Sequence, residues 1–175
     1  MLNRAVFLDR DGVINKIVYR DGKPTSPRNI EEFEFEDGIE NALRRLHVAG
    51  FKIFIVTNQP ELIRGLLTKE ALMVMTDRLV NTFKIDEISI CLHDEADHCK
   101  CRKPEPGMLL DLARKYEISM RDSYIIGDSA KDSSAGASAG CRTIILDRKY
   151  NREALADWRV PDLCSAVDLI CSNQR

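Results

Sequence analysis

Five short runs along the chain are near-continuously apolar: Ala5 to Leu8, Lys52 to Val56, Ile88 to Leu92, Tyr124 to Ile126 and Thr143 to Leu146. A strand that is apolar at successive positions, rather than at every second one, is covered on both faces, as in a parallel sheet. Between these runs the apolar positions recur with the helical period. Ile39, Leu43 and Leu46 form one stripe, closed by Gly50. Leu72, Met75, Leu79 and Phe83 form a second after Thr68, a candidate N-cap followed three residues later by Ala71 rather than an acid. Leu109, Leu112, Ala113 and Tyr116 form a third, entered through Pro104 and Pro106. Strand and helix in alternation predict an α/β fold, a doubly wound, Rossmann-like parallel sheet with helices on both faces and right-handed crossovers. The polar segment from Asn15 to Asp37, with Gly22, Pro24 and Pro27, predicts an irregular flap over the end of the first strand.

Composition narrows the setting. A chain of 175 residues supports one compact unit over 1–175, and neither a repeat nor a Gly/Ser- or Pro-rich linker divides it. With 44% hydrophobic and 31% charged residues, collagen-like, mucin-like and disordered chains are excluded. The 26 Lys and Arg against 28 Asp and Glu argue against a general nucleic-acid or anionic-membrane surface, while leaving room for a local basic pocket. Apolar runs of four or five residues fall far short of the roughly 20 that a membrane helix needs. The apolar stretch before Asp9 is too short for a secretory signal, so a cytoplasmic location is expected. The charge-rich stretches Glu31 to Asp37 and Lys149 to Asp157 read as solvated faces, His47 as a satisfied helix residue and Trp158 as packing for the tail.

In open parallel sheets, ligands collect at the carboxyl ends of the strands, and that is where the reactive side chains of this sequence fall. Asp9 and Asp11 follow the first run, Thr57-Asn58-Gln59 the second, and Gly127-Asp128 the fourth, with Asp132 one helical turn later. Arg102 and Lys103 lie beyond the third. Taken alone, Asp9-Arg10-Asp11-Gly12 is equally an ordinary acidic turn. Three acids, a lysine and a hydroxyl at one edge are costly unless a metal and an anion neutralise them, which describes a phosphate site with Mg²⁺ on hard oxygen ligands. Asp132 could orient Asp128 or hold a metal-bound water. A metal-bound carboxylate is also a usable nucleophile toward phosphorus.

Three of the six cysteines crowd together. Cys91-Leu92-His93 and Cys99-Lys100-Cys101 place three thiols and an imidazole within eleven residues, a complete tetrahedral set for structural Zn²⁺. Such a loop would also pin the adjacent Arg102 and Lys103. Cys141, Cys164 and Cys171 lie in apolar stretches and read as buried small hydrophobes.

The stretch from Phe7 to Asn15, Thr57-Asn58-Gln59, Cys101-Arg102-Lys103-Pro104 and Gly127-Asp128 with Asp132 resemble the four motifs of the haloacid dehalogenase superfamily. More narrowly, the chain resembles its D,D-heptose 1,7-bisphosphate phosphatase branch, which is similar to histidinol-phosphate phosphatases. The likeness runs from about Ala5 to Leu169 and includes Phe33-Glu34-Phe35, Arg64-Gly65 and Pro106-Gly107-Met108-Leu109-Leu110. The resemblance implies Asp9 as nucleophile, Asp11 as general acid and then base, and Mg²⁺ on Asp9, the Asp11 carbonyl and Asp128, with Asp132 behind the metal. Thr57 and the Asn58 amide would grip the phosphoryl group and Lys103 would neutralise it. Arg102, Gly12 and Asn15 fall on the substrate side. The resemblance and the spacing favour His93 over His98 as the fourth zinc ligand. Only 45 residues separate Asp11 from Thr57, too few for a large cap domain.

The expected activity is therefore Mg²⁺-dependent removal of the C7 phosphate from a heptose 1,7-bisphosphate, through an aspartyl phosphate. The expected partner is that small sugar bisphosphate, with no nucleic acid or membrane, and a monomer as the working unit. Histidinol phosphate or another small phosphomonoester is the alternative substrate. The five-residue interval between His93 and Cys99 resembles the histidinol-phosphate branch, and Pro60-Glu61-Leu62-Ile63 stands where a small, Gly-containing stretch is expected. A phosphorylatable signalling module uses similar residues without the Asp11 acid, and a non-catalytic zinc-binding domain would need only the cysteine loop.

Overall fold

The computed structural model describes residues 2–173. Its strands are β1 (Arg4–Leu8), β2 (Val18–Arg20), β3 (Lys23–Thr25), β4 (Phe51–Asn58), β5 (Glu87–Cys91), β6 (Tyr124–Gly127), β7 (Arg142–Leu146) and β8 (Trp158–Val160). The helices are α1 (Ile39–Val48), α2 (Lys69–Thr82), α3 (Gly107–Lys115), α4 (Ala130–Ala139) and α5 (Leu163–Ser172). Six strands form one sheet in the order β5-β4-β1-β6-β7-β8, with every pairing parallel. The strand order reverses around β1, so a crevice opens past its carboxyl end between β4 and β6, the usual ligand position in such sheets.

Strand alternation explains why these segments are apolar throughout. Val6, Leu8, Ile53, Ile55, Ile126 and Ile144 face one layer, against residues of α1, α2 and α5. Ala5, Phe7, Phe54, Val56 and Ile125 face the other, against Met108, Leu109 and Leu112 of α3 and Ala135 and Ala139 of α4. Thr68 caps α2 by accepting a hydrogen bond from the Ala71 amide at 3.1 Å, and Gly50, with φ +81°, closes α1. Among the described residues no helix is long and apolar enough to cross a membrane.

Several sequence expectations change. β5 is half-buried along most of its length because it is the sheet edge. The flap contains an antiparallel hairpin, β2 with β3, where irregular chain was expected. The stretch from Lys149 to Asp157 is not simply solvated: Asn151 is buried, and the Asp157 carboxylate accepts from the Thr143 amide at 2.7 Å. Cys141 is buried as expected, but Cys164 and Cys171 are half-buried at the edge of the α5 packing. Trp158 packs its ring 6.3 Å from Tyr124.

Candidate active site and metal centres

The end of β1 turns sharply. The Gly12 amide donates to the Asn15 carbonyl at 2.7 Å and the Ile14 amide to Arg10 at 2.8 Å. Gly12 has φ +82°, and a Cβ there would lie 2.0 Å from Asp128 Oδ2, so only glycine allows β1 and the loop after β6 to approach this closely. Lys103 enters from the loop before α3 and is almost fully buried. Its Nζ lies 2.8 Å from Asp9 Oδ1, 2.5 Å from Asp132 Oδ1 and 2.8 Å from the Val56 carbonyl. Burial would lower its pKa, but the two carboxylates reverse the effect and hold it protonated.

The acids remain under-neutralised. Burial, reinforced by Asp132, Asp128 and Asp11, raises the Asp9 carboxyl well above the usual range despite Lys103. Burial and then Asp132 push Asp128 up to about 7, against the Tyr150 hydrogen bond and Lys103. Carboxylate oxygens of Asp9, Asp128 and Asp132 lie within 4.8 Å of one another. Asp132 is already engaged: besides Lys103, it accepts from the Ser129 amide and hydroxyl at 3.0 and 2.6 Å, capping α4. Its position is thus set by Lys103 and the helix end. Asp9 Oδ2 and Asp128 Oδ1 accept no hydrogen bond from the described residues, and both side chains line a cavity of about 510 Å³. This surplus of hard, free oxygen donors fits a divalent cation such as Mg²⁺.

Asp11 sits in a cage. It accepts from Arg10 Nε at 3.0 Å, Asn15 Nδ2 at 2.9 Å and Gln59 Nε2 at 2.8 Å. Burial alone would raise its carboxyl, but Arg10 and these hydrogen bonds outweigh it and hold the group below its ordinary value. Gln59 Nε2 also donates to Thr57 Oγ1 at 2.9 Å, linking the cavity's hydroxyl to the caged acid.

Asp9, Asp11, Thr57, Asn58, Arg102, Lys103 and Asp128 all line the cavity. Asn15 and Gly12 do not. Asn15 is fully buried, because the turn folds it beneath Asp11 and its amide also donates to the Lys16 carbonyl at 3.0 Å. Gly12 serves the close approach to Asp128. The Asn58 side chain clasps the main chain of Lys103 in both directions, at 2.9 and 3.1 Å, and so positions the lysine. Pro60 and Glu61 do reach the cavity, which is also lined by the basic side chains of Lys23, Arg28, Arg64 and Lys131. Arg10, Gln59, Tyr150 and Asn151 had no assigned role in the sequence. An arginine between two aspartates was a signal for the cage, whereas nothing in the local sequence marks Tyr150 or Asn151.

The second centre is built from Cys91 at the end of β5 and the loop after it. Cys101 Sγ lies 3.3 Å from Cys91 Sγ, 3.3 Å from His93 Nδ1 and 3.4 Å from Cys99 Sγ. Cys91 Sγ lies 3.6 Å from His93 Nδ1 and 3.7 Å from Cys99 Sγ. Metal bonds of about 2.3 Å to sulfur and about 2.0 Å to nitrogen place tetrahedral ligands roughly 3.5 to 3.8 Å apart, close to these separations. Burial and the two neighbouring thiols push Cys101 up to about 12, so a cation is needed to hold the set ionised. The Arg102 amide donates to Cys99 Sγ at 3.3 Å and its guanidinium to the His93 carbonyl at 3.0 Å, joining this loop to the cavity wall.

The meeting of these side chains at one strand edge, in this chain order, defines the class, a haloacid dehalogenase-like hydrolase, and a HAD-hydrolase-like family model matches residues 100–166. A Campylobacter jejuni D-glycero-alpha-D-manno-heptose-1,7-bisphosphate 7-phosphatase is 38% identical over 161 residues, covering 87% of each chain. A Helicobacter pylori D-glycero-beta-D-manno-heptose-1,7-bisphosphate 7-phosphatase is 33% identical, over 96% of this chain and 98% of its own. The crystal structure of the B. bronchiseptica D,D-heptose 1,7-bisphosphate phosphatase, complexed with magnesium and phosphate, superposes with a TM-score of 0.85 at 29% identity, over 97% of this chain and 99% of that one. The chain belongs to this heptose-bisphosphate phosphatase family of the haloacid dehalogenase-like hydrolases.

Proposed function

We propose that this chain hydrolyses the C7 phosphate of D-glycero-D-manno-heptose 1,7-bisphosphate, as a cytoplasmic monomer, with Mg²⁺ at Asp9, Asp128 and the Asp11 carbonyl and Zn²⁺ at Cys91, His93, Cys99 and Cys101. The observation that carries the reading is the pair of free oxygens, Asp9 Oδ2 and Asp128 Oδ1, in a cavity where buried Lys103 holds the other oxygen of Asp9 and further basic side chains line the wall. Bound Mg²⁺ would neutralise the crowded carboxylates and withdraw charge from the phosphoryl oxygens. Asp9 attacks phosphorus as the bond to the C7 oxygen breaks, and Asp11 gives that oxygen a proton. A water then attacks phosphorus, Asp11 takes its proton, and inorganic phosphate leaves Asp9 free. Lys103, the Thr57 hydroxyl and the Asn58 main-chain amide hold the transferring group. Arg102 and the outer basic residues face the phosphate that the sugar retains.

A phosphate-release assay with both heptose 1,7-bisphosphate anomers and with histidinol phosphate, each with and without Mg²⁺, tests this reading. The expected result is Mg²⁺-dependent turnover with the highest kcat/KM on a heptose bisphosphate. The short interval between His93 and Cys99 favours histidinol phosphate instead, and a higher kcat/KM on that compound would replace the proposed substrate.

The zinc assignment carries its own prediction. Metal analysis should find one equivalent of zinc per chain, and Cys99→Ser should lose it. Because the loop anchors Arg102, while Lys103 keeps partners outside it in Asn58, Asp132 and the Val56 carbonyl, KM should rise roughly tenfold or more, with a smaller change in kcat. Full zinc retention, or a fall confined to kcat, contradicts the assignment.

A further inference from the structure

The segment after β7 folds back over the metal side of the cavity. Arg148 donates to the Gly12 carbonyl at 3.0 Å and to the Pro161 carbonyl at 2.9 Å. Asn151, buried, donates from Nδ2 to the carbonyls of Asp128 and Leu146 at 2.8 and 2.7 Å. Its Oδ1 accepts from the Arg148 amide and from Arg159, at 3.0 and 2.9 Å. The main chain of Asp128 and that of Gly12 are thereby tied to one loop. Between these two anchors, the Tyr150 hydroxyl donates to Asp128 Oδ2.

That contact decides which way the carboxylate faces. Oδ2 is enclosed between the Tyr150 hydroxyl and the Cα side of Gly12, where a Cβ would be 2.0 Å from Oδ2 and 3.1 Å from the hydroxyl. Oδ1 has no donor of its own among the described residues, and the Asp128 side chain lines the cavity. Without the hydroxyl, Asp128 gains rotational freedom about its side chain, and the Asp9–Asp128 pair no longer presents two oxygens in a fixed arrangement. Partners of this kind, which bind a ligand's second atom rather than the metal, set ligand orientation and are worth about 10- to 100-fold in metal affinity.

We propose that Tyr150 is a positioning residue for the divalent cation, holding Asp128 Oδ2 so that Oδ1 is presented beside Asp9. The proposal rests on the reading of Asp9 and Asp128 as the Mg²⁺ pair. Calorimetric titration of Mg²⁺ into the substrate-free full chain tests it, alongside thermal unfolding without Mg²⁺. Tyr150→Phe keeps the ring and removes only the hydroxyl. The expected result is a Kd for Mg²⁺ at least about tenfold weaker, with the metal-free Tm close to that of the unaltered chain. Tyr150→Leu should weaken binding at least as much. A purely structural role would lower the metal-free Tm and leave the Kd unchanged. Equal or tighter Mg²⁺ binding by Tyr150→Phe overturns the positioning role while leaving the Mg²⁺ pair intact. Absence of binding by the unaltered chain overturns both.

Discussion

Asp9→Asn should remove phosphate release to the limit of detection, a loss on the order of 10⁶-fold of the kind seen when a covalent nucleophile is deleted. The reasoning is local. The amide occupies the same volume but offers phosphorus no anionic oxygen, so no acyl phosphate forms. The rest of the site has independent support. Lys103 keeps Asp132 and the Val56 carbonyl, and Thr57 keeps Gln59. Substrate binding should therefore outlast turnover. Loss of fold is not the expected cause, because burial, reinforced by the neighbouring carboxylates, raises the Asp9 carboxyl despite Lys103, and the amide carries no charge to bury. The metal-free Tm should be no lower than that of the unaltered chain. Phosphate release is the first readout. The second is reduction of the quenched enzyme with borohydride, which converts an aspartyl phosphate to homoserine. Residue 9 should yield homoserine in the unaltered chain and none in the variant. Turnover within 100-fold of the starting rate would mean that another group attacks phosphorus.

The parts of this molecule that the sequence discloses are those whose signal is local. Buried strands such as Phe51–Asn58 announce themselves because both faces are covered, and the reactive residues stand at their ends because that is where a parallel sheet opens. The cysteine loop is legible for the same reason, since its four ligands lie within eleven residues. What escapes is three-residue structure and long-range contact. The strand Trp158–Val160 and the hairpin strands are too short to carry a period. Gln59 reaches Asp11 across 48 positions, and Tyr150 reaches Asp128 across 22. The burial of Asn15 is not legible either, because a motif gives membership of a turn but not the direction of a side chain, and this turn points it inward.

Asp11→Asn should slow steady-state hydrolysis of a sugar phosphate by about 10² to 10⁴-fold, the usual worth of a positioned acid–base group. The cage makes a more specific expectation. Arg10, Asn15 and Gln59 hold Asp11 as a carboxylate, the form that takes a proton from water. Protonating a sugar oxygen requires Asp11 to gain a proton first, against those same partners. An aryl phosphate with a good leaving group needs no such proton, so its first step should survive the substitution, while hydrolysis of the aspartyl phosphate still lacks its base. On that substrate Asp11→Asn should release close to one equivalent of phenol per active site in a burst, then turn over slowly. The burst amplitude also counts folded sites, which matters because Arg10 is almost fully buried and loses its anion in the variant. A signalling module would show the opposite pattern, with a long-lived aspartyl phosphate already present in the unaltered chain and little further change on substitution. A variant that slows both substrates equally, with no burst, would move the base from Asp11 to another residue.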